Sequence, residues 1–380
     1  MVMKIIDWYK DNFEASLSGR YLTLNHIENL LDSYSTFFDI NVAGTSENDF
    51  KIPIIRLGTG TKKVLVWSQM HGNESTTTKA IFDFLKLISY PGIFLKEVEI
   101  FLKSYSFTII PILNPDGAKL NTRENANEVD LNRDAKNLSQ KESRVLRKVF
   151  EELKPDLCLN MHDQRSIFGL NGKFPATISF LAPAANKKRT ITPARVTAIS
   201  YINRSIDLLV ELIPDNIGRF DDGYNDNCVG DFFTTAGVPT ILFEAGHIND
   251  DYEREVSRSY IFYALAAMFN ISHFSEVKSK EHYFKIPENE KIFNDVVLNN
   301  VYISNEKPSS QICLQYREVL TRGKVTFELV IDSINEKNEK LGHQTFNLEG
   351  GSVLINSQEK LHIGKKVTSI FDKRNNLMLI

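Results

Sequence analysis

Strand-like apolar runs alternate with helix-like stretches along most of this chain, and that alternation limits the fold more than any other feature. Val64–Trp67, Phe107–Asn114, Asp156–His162, Ala176–Ala182 and Pro239–Gly246 are short apolar runs flanked by turn residues, the pattern of buried strands. Helical recurrence of apolar residues fills Thr76–Leu85, 140–153, about 192–212 and 251–269. Two more helices are expected near 3–15 and 23–33, and two strands near 37–43 and 51–57. Strands joined through helices imply an α/β protein whose mixed, mostly parallel sheet is flanked by helices on both faces. Around 272–290 the chain turns polar and loses its period, and from there short alternating runs such as VVLNNVYI, KVTFELVI and GSVLI take over. The expected division is a large α/β domain over 1–272 and a small β-rich C-terminal module over 290–380.

Composition narrows the function classes. With 42% hydrophobic and 24% charged residues and a net charge of −3, the chain reads as soluble and globular, with no global reason to bind nucleic acid or an anionic membrane. No apolar run is long enough to span a bilayer. Cys158, Cys228 and Cys313 are odd in number, far apart and without C-x-x-C spacing, which argues against a disulfide scaffold or a thiolate zinc site. A reducing compartment fits best. The N-terminal MVMKIIDWYKDNF carries Asp7, Lys10 and Asp11 where an export signal needs an apolar core, so it reads as an amphipathic helix and the protein as cytoplasmic.

The turn between the Val64–Trp67 run and the Thr76 helix contains His71-Gly72-Asn73-Glu74. In an open α/β sheet such a turn delivers its side chains to the crevice beyond the carboxyl ends of the strands, where ligands gather. An imidazole and a carboxylate three residues apart can converge on one zinc ion, which in hydrolytic sites takes three protein ligands and keeps one position for water. The same turn also reads as a plain cap, with Asn73 or Ser75 closing the helix. A third ligand must come from elsewhere, and His162, at the end of its strand, is the best placed.

Asn114-Pro115-Asp116-Gly117 has the composition of a tight turn and opens a polar loop of some twenty residues, a length usually kept for function. The loop carries Arg123, Asn132 and Arg133; guanidinium forks bind carboxylates and stabilise developing oxyanions. Glu244 ends the PTILFE run, where a carboxylate is costly unless paired or functional.

In order, His71-x-x-Glu74, Asn114-Pro-Asp-Gly117, Arg123, Val129-Asp-Leu-Asn-Arg133, His162 and Glu244 resemble the signature of the funnelin, or carboxypeptidase A-like, zinc carboxypeptidases over about residues 50–270. M-H-G-N-E and R-x-N-A-x-x-x-D-L-N-R are most similar to the carboxypeptidase N/E branch. The resemblance implies an α/β/α sandwich holding one zinc ion on His71, Glu74 and His162, with Asp130 holding the first histidine. It further implies that Arg123 polarises the scissile carbonyl, that Asn132 and Arg133 clamp a substrate's terminal carboxylate, that Glu244 is the general base, and that Tyr224 matches a mobile substrate-binding tyrosine after a one-residue shift. Asp134-Ala135 stands where the family commonly has Asn-Phe. Gly230 and Asp231 fall near the family's side-chain pocket, and Asp163, Arg165 and His247 lie beside site residues. The partner implied is a peptide or peptide-like substrate with a free C-terminal carboxylate. An amidase or deacylase acting on an N-acyl amino acid or cell-wall peptide, and a peptide-binding relative without turnover, are the alternatives.

Overall fold

The computed structural model describes residues 2–273, 280–302, 310–358 and 360–380, so parts of the polar 272–290 stretch and the last residue of VVLNNVYI lie outside the described residues. The chain forms two compact units, one of Met1–Gln164 with Ala176–Asn289, the other of Arg165–Pro175 with Glu290–Ile380.

The first unit contains strands β1 (Asp39–Thr45), β2 (Lys51–Leu57), β3 (Lys62–Ser68), β4 (Tyr105–Ile110) and β5 (Leu157–Asp163). In the second unit lie β6 (Phe168–Leu170) and β7 (Phe174–Pro175); β8 (Ile178–Leu181), β9 (Ile217–Arg219) and β10 (Thr240–Ala245) return to the first. Its helices are α1 (Val2–Asn12), α2 (Leu24–Tyr34), α3 (Thr76–Ser89), α4 (Leu95–Ser104), α5 (Pro115–Leu120), α6 (Lys141–Leu153), α7 (Pro193–Leu209), α8 (Val229–Thr235), α9 (Glu255–Met268) and α10 (Lys280–Phe284).

Eight strands make one mixed sheet in the order β1-β2-β4-β3-β5-β10-β8-β9. β4, β3, β5 and β10 run parallel in its centre. The chain leaves β3 toward β4 on one side and returns to β5 on the other, so the order reverses at the β3/β5 pair. A crevice opens at such a reversal, beyond the strands' carboxyl ends.

Side chains alternate across each strand, and here both faces are buried. Val64, Val66, Leu157, Leu159, Met161, Ile241 and Phe243 enter the larger core, shared with α1, α3, α7 and α9. Leu65, Trp67 and Cys158 enter a smaller core with Leu146 and Val149 of α6 and Val229 and Phe233 of α8. That alternation explains why these strands read as continuous apolar runs. It also sends His162 to the α6/α8 face and Asp163 to the α3 face.

Two expectations need correcting. α4 lies in a stretch where no element is expected from sequence; it buries only Val98 and Phe101. Asn114-Pro-Asp-Gly is no tight turn but the capped start of α5: Asn114 Oδ1 accepts from Gly117 N at 2.8 Å, and Pro115 occupies the first turn, where no N–H is needed. Gly117 serves by lacking a Cβ, which would stand 2.5 Å from Glu124 O.

The second unit is β-rich, as expected. β11 (Glu290–Lys291) joins β6 and β7 in a small sheet, while β12 (Phe293–Val301), β13 (Ser310–Thr321), β14 (Lys324–Asn335) and β15 (Leu341–Asn347) form another in the order β14-β13-β12-β15. β16 (Val353–Ile355), β17 (Ile370–Asp372) and β18 (Leu377–Met378) close a third. The segment Arg165–Pro175 groups here through the β6/β11 pairing, whereas α10 groups with the first unit, its Tyr283 fully buried with the phenol oxygen accepting from Ala182 N at 3.1 Å.

Candidate metal centre

After β3 the backbone turns sharply, with Gln69 in the left-handed region at φ 43°. Leu113 N donates to Ser68 O and Asn114 N to Gln69 O, both at 3.0 Å, tying this turn to the chain entering α5. The approach is close enough that a Cβ on Gly72 would lie 2.0 Å from the Gly117 carbonyl carbon. Glycine at 72 is therefore a packing requirement of the turn that carries His71 and Glu74.

His71, Glu74 and His162 are all buried, and one ligand atom from each lies within 4.8 Å of the others. His71 Nδ1 stands 2.8 Å from Glu74 Oε1 and 3.1 Å from His162 Nδ1, which in turn is 2.8 Å from Glu74 Oε2. Four-coordinate zinc with bonds of about 2.0–2.1 Å has ligand atoms about 3.3 Å apart by tetrahedral geometry. The observed separations approach that spacing. Two imidazole nitrogens facing each other at 3.1 Å repel unless a proton or cation lies between them, so the donor set suits a cation.

Asp130 sets the first histidine. Its Oδ1 accepts from His71 Nε2 at 3.0 Å and from Asn132 N at 2.8 Å, while Oδ2 accepts from Arg123 Nε at 3.2 Å and Nη2 at 3.0 Å. The proton of His71 is thereby drawn to Nε2, leaving the Nδ1 lone pair toward the triad. Arg123 Nη1 reaches His71 Nδ1 at 3.0 Å and Glu74 Oε1 at 3.3 Å, so its guanidinium lies beside the triad.

Electrostatics follow the same plan. Burial would raise the carboxyls of Glu74 and Asp130, yet His71 and His162 hold Glu74 well below its ordinary range, and His71, Arg123 and Arg133 do the same for Asp130. Burial lowers His162, while for His71 the burial effect is outweighed by Glu74 and Asp130, which raise it. Glu244 pairs in register with His162 across the parallel β5/β10 ladder, placing both side chains on one sheet face. Burial first, then the charges of Glu74 and Asp163, push its carboxyl well above the usual range against the pull of Arg123.

The short 3-10 turn Leu131–Arg133 presents the remaining loop residues. Asn132 Oδ1 accepts from Val229 N at 3.2 Å and from the Cys228 thiol at 3.4 Å, which orients its amide NH2 the other way, available as a donor. Arg133 is exposed, with Nη1 on Asn132 O at 2.8 Å and its carbonyl held by the Asn227 amide. Tyr224 is half-buried, its hydroxyl 3.4 Å from Thr235 Oγ1 at the C-terminal end of α8. Asp231 accepts from Asn225 N at 2.8 Å, and burial pushes its carboxyl up to about 6.

Sequence reasoning missed how α3 is capped. Ser75 occupies the cap position, but its hydroxyl donates to Arg20 O at 2.7 Å, and Asn73 O accepts from Arg20 Nη2 at 3.4 Å. The free N–H groups of the helix go to the Asp163 carboxylate: Thr76 N at 3.0 Å and Thr77 N at 3.4 Å. The only sequence signal was a carboxylate directly after His162. Nothing local marks Arg20.

Residues 23–166 match the family model described as zinc carboxypeptidase, peptidase M14. A search of curated proteins gives no match. Among solved structures, the fold is similar to a metallo-carboxypeptidase from Burkholderia cenocepacia, at 17% identity and a TM-score of 0.53, with 65% of this chain and 68% of that one covered. It is also similar to carboxypeptidase A from Helicoverpa armigera, at 15% identity and a TM-score of 0.52, with 71% of this chain and 81% of that one covered. At these identities the likeness is one of fold. Family match, fold and triad together support a peptide hydrolase.

Proposed function

We propose that this chain is a zinc-dependent metallocarboxypeptidase that hydrolyses the C-terminal amide bond of a peptide or peptide-like substrate with a free terminal carboxylate. The observation that carries the reading is the convergence of His71 Nδ1, Glu74 and His162 Nδ1 beside a guanidinium anchored by the same carboxylate that orients His71. One zinc ion held there would supply a water of lowered pKa and a Lewis acid.

The chain's own residues supply the rest. Glu244 takes a proton from the attacking water and passes it to the departing amine, a task suited to a buried carboxyl whose proton affinity is raised by burial and by the charges of Glu74 and Asp163. Glu74 cannot share that role while it is a ligand. Arg123 is fixed at Nε and Nη2 by Asp130 and rests its Nη1 on His71 and Glu74; with those two engaged by the metal, Nη1 would turn to the oxygen of the scissile carbonyl as charge develops. The exposed Arg133 guanidinium and the oriented Asn132 amide receive the terminal carboxylate and so determine which bond reaches the water. The M-H-G-N-E and R-x-N-A-x-x-x-D-L-N-R motifs favour the N/E branch for this chain's affinities, and its free cysteines favour a reducing, cytoplasmic setting.

Release of the terminal amino acid from peptides of varied C-terminal residue tests the reading, with Glu244→Gln as its control. The wild type should release residues only from free C-termini, and the variant should retain zinc while losing hydrolysis. Equal turnover of C-terminally amidated peptides, or an active Glu244→Gln enzyme, would overturn it; activity confined to N-acyl amino acids would reassign the enzyme as an amidase.

A further inference from the structure

The segment joining α1 to α2 has almost no regular structure, yet it buries Glu14, Leu17, Arg20, Leu22 and Thr23 and is stitched to the core by side chains. Arg258 donates to Glu14 O at 2.8 Å and to Leu17 O at 2.6 Å, Lys79 Nζ donates to Gly19 O at 2.8 Å, and Gln69 Nε2 donates to Leu22 O at 3.0 Å. Buried backbone needs such partners when no helix or strand supplies them. At the end of this strap stands Arg20, 6% exposed.

We propose that Arg20 is a positioning residue of the metal centre: gripping the Asp163 carboxylate that caps α3, it locks the His71–Glu74 turn and the end of β5 into ligand geometry. This rests on the metal reading above. Arg20 Nη1 lies 2.8 Å from Asp163 Oδ2 and 2.7 Å from Thr76 Oγ1, and that hydroxyl donates to the same Asp163 oxygen at 2.6 Å. Asp163 directly follows the ligand His162, and its own N–H donates to Glu74 Oε2 at 3.1 Å. The helix it caps begins two residues after Glu74. Both elements that deliver ligands therefore meet at one carboxylate, and Arg20 neutralises and orients that carboxylate. Its hold on Asn73 O and the Ser75 hydroxyl's bond to Arg20 O clasp the turn a second time. Arg20 lies outside the span 23–166 that matches the family model, so the brace is a feature of this chain's N-terminal strap.

The test compares zinc dissociation constants, measured by chelator competition, for the wild type, Arg20→Ala, Arg20→Lys, Asp163→Asn and Leu17→Ala. Leu17 is a buried strap residue whose side chain packs in the larger apolar core and makes none of the contacts of the brace, so its truncation should lower thermal stability while leaving those contacts in place. Groups that orient metal ligands typically change affinity about 10–100-fold when removed. Arg20→Ala and Asp163→Asn should weaken zinc by about that factor, Arg20→Lys should recover part of the loss, and Leu17→Ala should stay within about twofold of wild type. An Arg20→Ala/Asp163→Asn double variant should be no worse than the worse of its two single variants, since both act through one contact. In metal-free protein, amide exchange at Thr76 and Thr77 should rise in Arg20→Ala but not in Leu17→Ala. Wild-type zinc affinity in Arg20→Ala and Arg20→Lys, or an equal loss in Leu17→Ala, would overturn the inference alone; a wild type that takes up no zinc would overturn the metal reading and this inference with it.

Discussion

Replacing Asp130 by asparagine asks whether both of its oxygens are needed behind the proposed metal ligands. Oδ1 faces two donors, His71 Nε2 and Asn132 N, and Oδ2 faces two more, Arg123 Nε and Nη2, all at 2.8–3.2 Å. Asparagine offers one acceptor oxygen and one NH2, so either flip sets the NH2 against two donors. Each half-buried donor left without an acceptor costs about 1–3 kcal/mol, more where it is charged. If the amide turns its NH2 on Arg123, the guanidinium is released; if on His71, the imidazole is. Either way the triad loses a fixed partner, and zinc affinity should fall by about 10–100-fold, or about 1.4–2.7 kcal/mol. Alanine removes the acceptors without adding opposed donors, so Asp130→Asn should be no better than Asp130→Ala. Chelator competition gives the affinities, and kcat/KM on a free C-terminal peptide gives the functional loss. Wild-type affinity in Asp130→Asn would refute the argument, because it would mean that four donors do not need two acceptor oxygens.

Arg133→Ala should lower kcat/KM for free C-terminal peptides far more than for amidated ones; equal losses would remove Arg133 from carboxylate binding. Asp231 has its carboxyl pushed up to about 6 by burial, above the 3.8 of a free aspartate, so its favourable contribution is complete below pH 3.8 and is lost as pH rises through 6. Asp231→Asn keeps an acceptor for Asn225 N and should stabilise the protein by on the order of 2 kcal/mol at pH 7.5 but hardly at pH 4; urea unfolding at the two pH values checks this, and a pH-independent difference would contradict it. Asp83 is wholly buried against Arg258, with contacts of 2.7 Å to Nε and Nη2. Asp83→Ala strands that guanidinium and should cost about 3–5 kcal/mol, whereas a loss below about 1 kcal/mol in denaturant unfolding would show that the pair is not what ties the strap to α3 and α9.

Much of the centre was legible because its residues sit at strand ends, where apolar runs stop abruptly at His71's turn, at His162 and at Glu244. Burial on both sheet faces made those runs continuous, so strand positions could be read even though their two faces could not be told apart. α4 was not legible: its buried face is just Val98 and Phe101, too thin a stripe to stand out in LKEVEIFLKS. Asn114-Pro-Asp-Gly misled because the same residues that favour a turn also cap and open a helix, and only the backbone of Gly72 pressing on Gly117 shows why glycine is needed. Tyr224 illustrates the limit of motif position, since sequence places it on the loop before α8 but says nothing of its hydroxyl, which turns to Thr235. Arg20 lay beyond reach because its partner is 143 residues away and its own segment has no period.

Anomalous diffraction at the zinc edge, on crystals of the zinc-loaded protein, tests the central claim most directly. One peak about 2.0–2.2 Å from His71 Nδ1, His162 Nδ1 and a Glu74 carboxylate oxygen is the expected result. A peak bound elsewhere, or none at the triad in fully loaded protein, would contradict it.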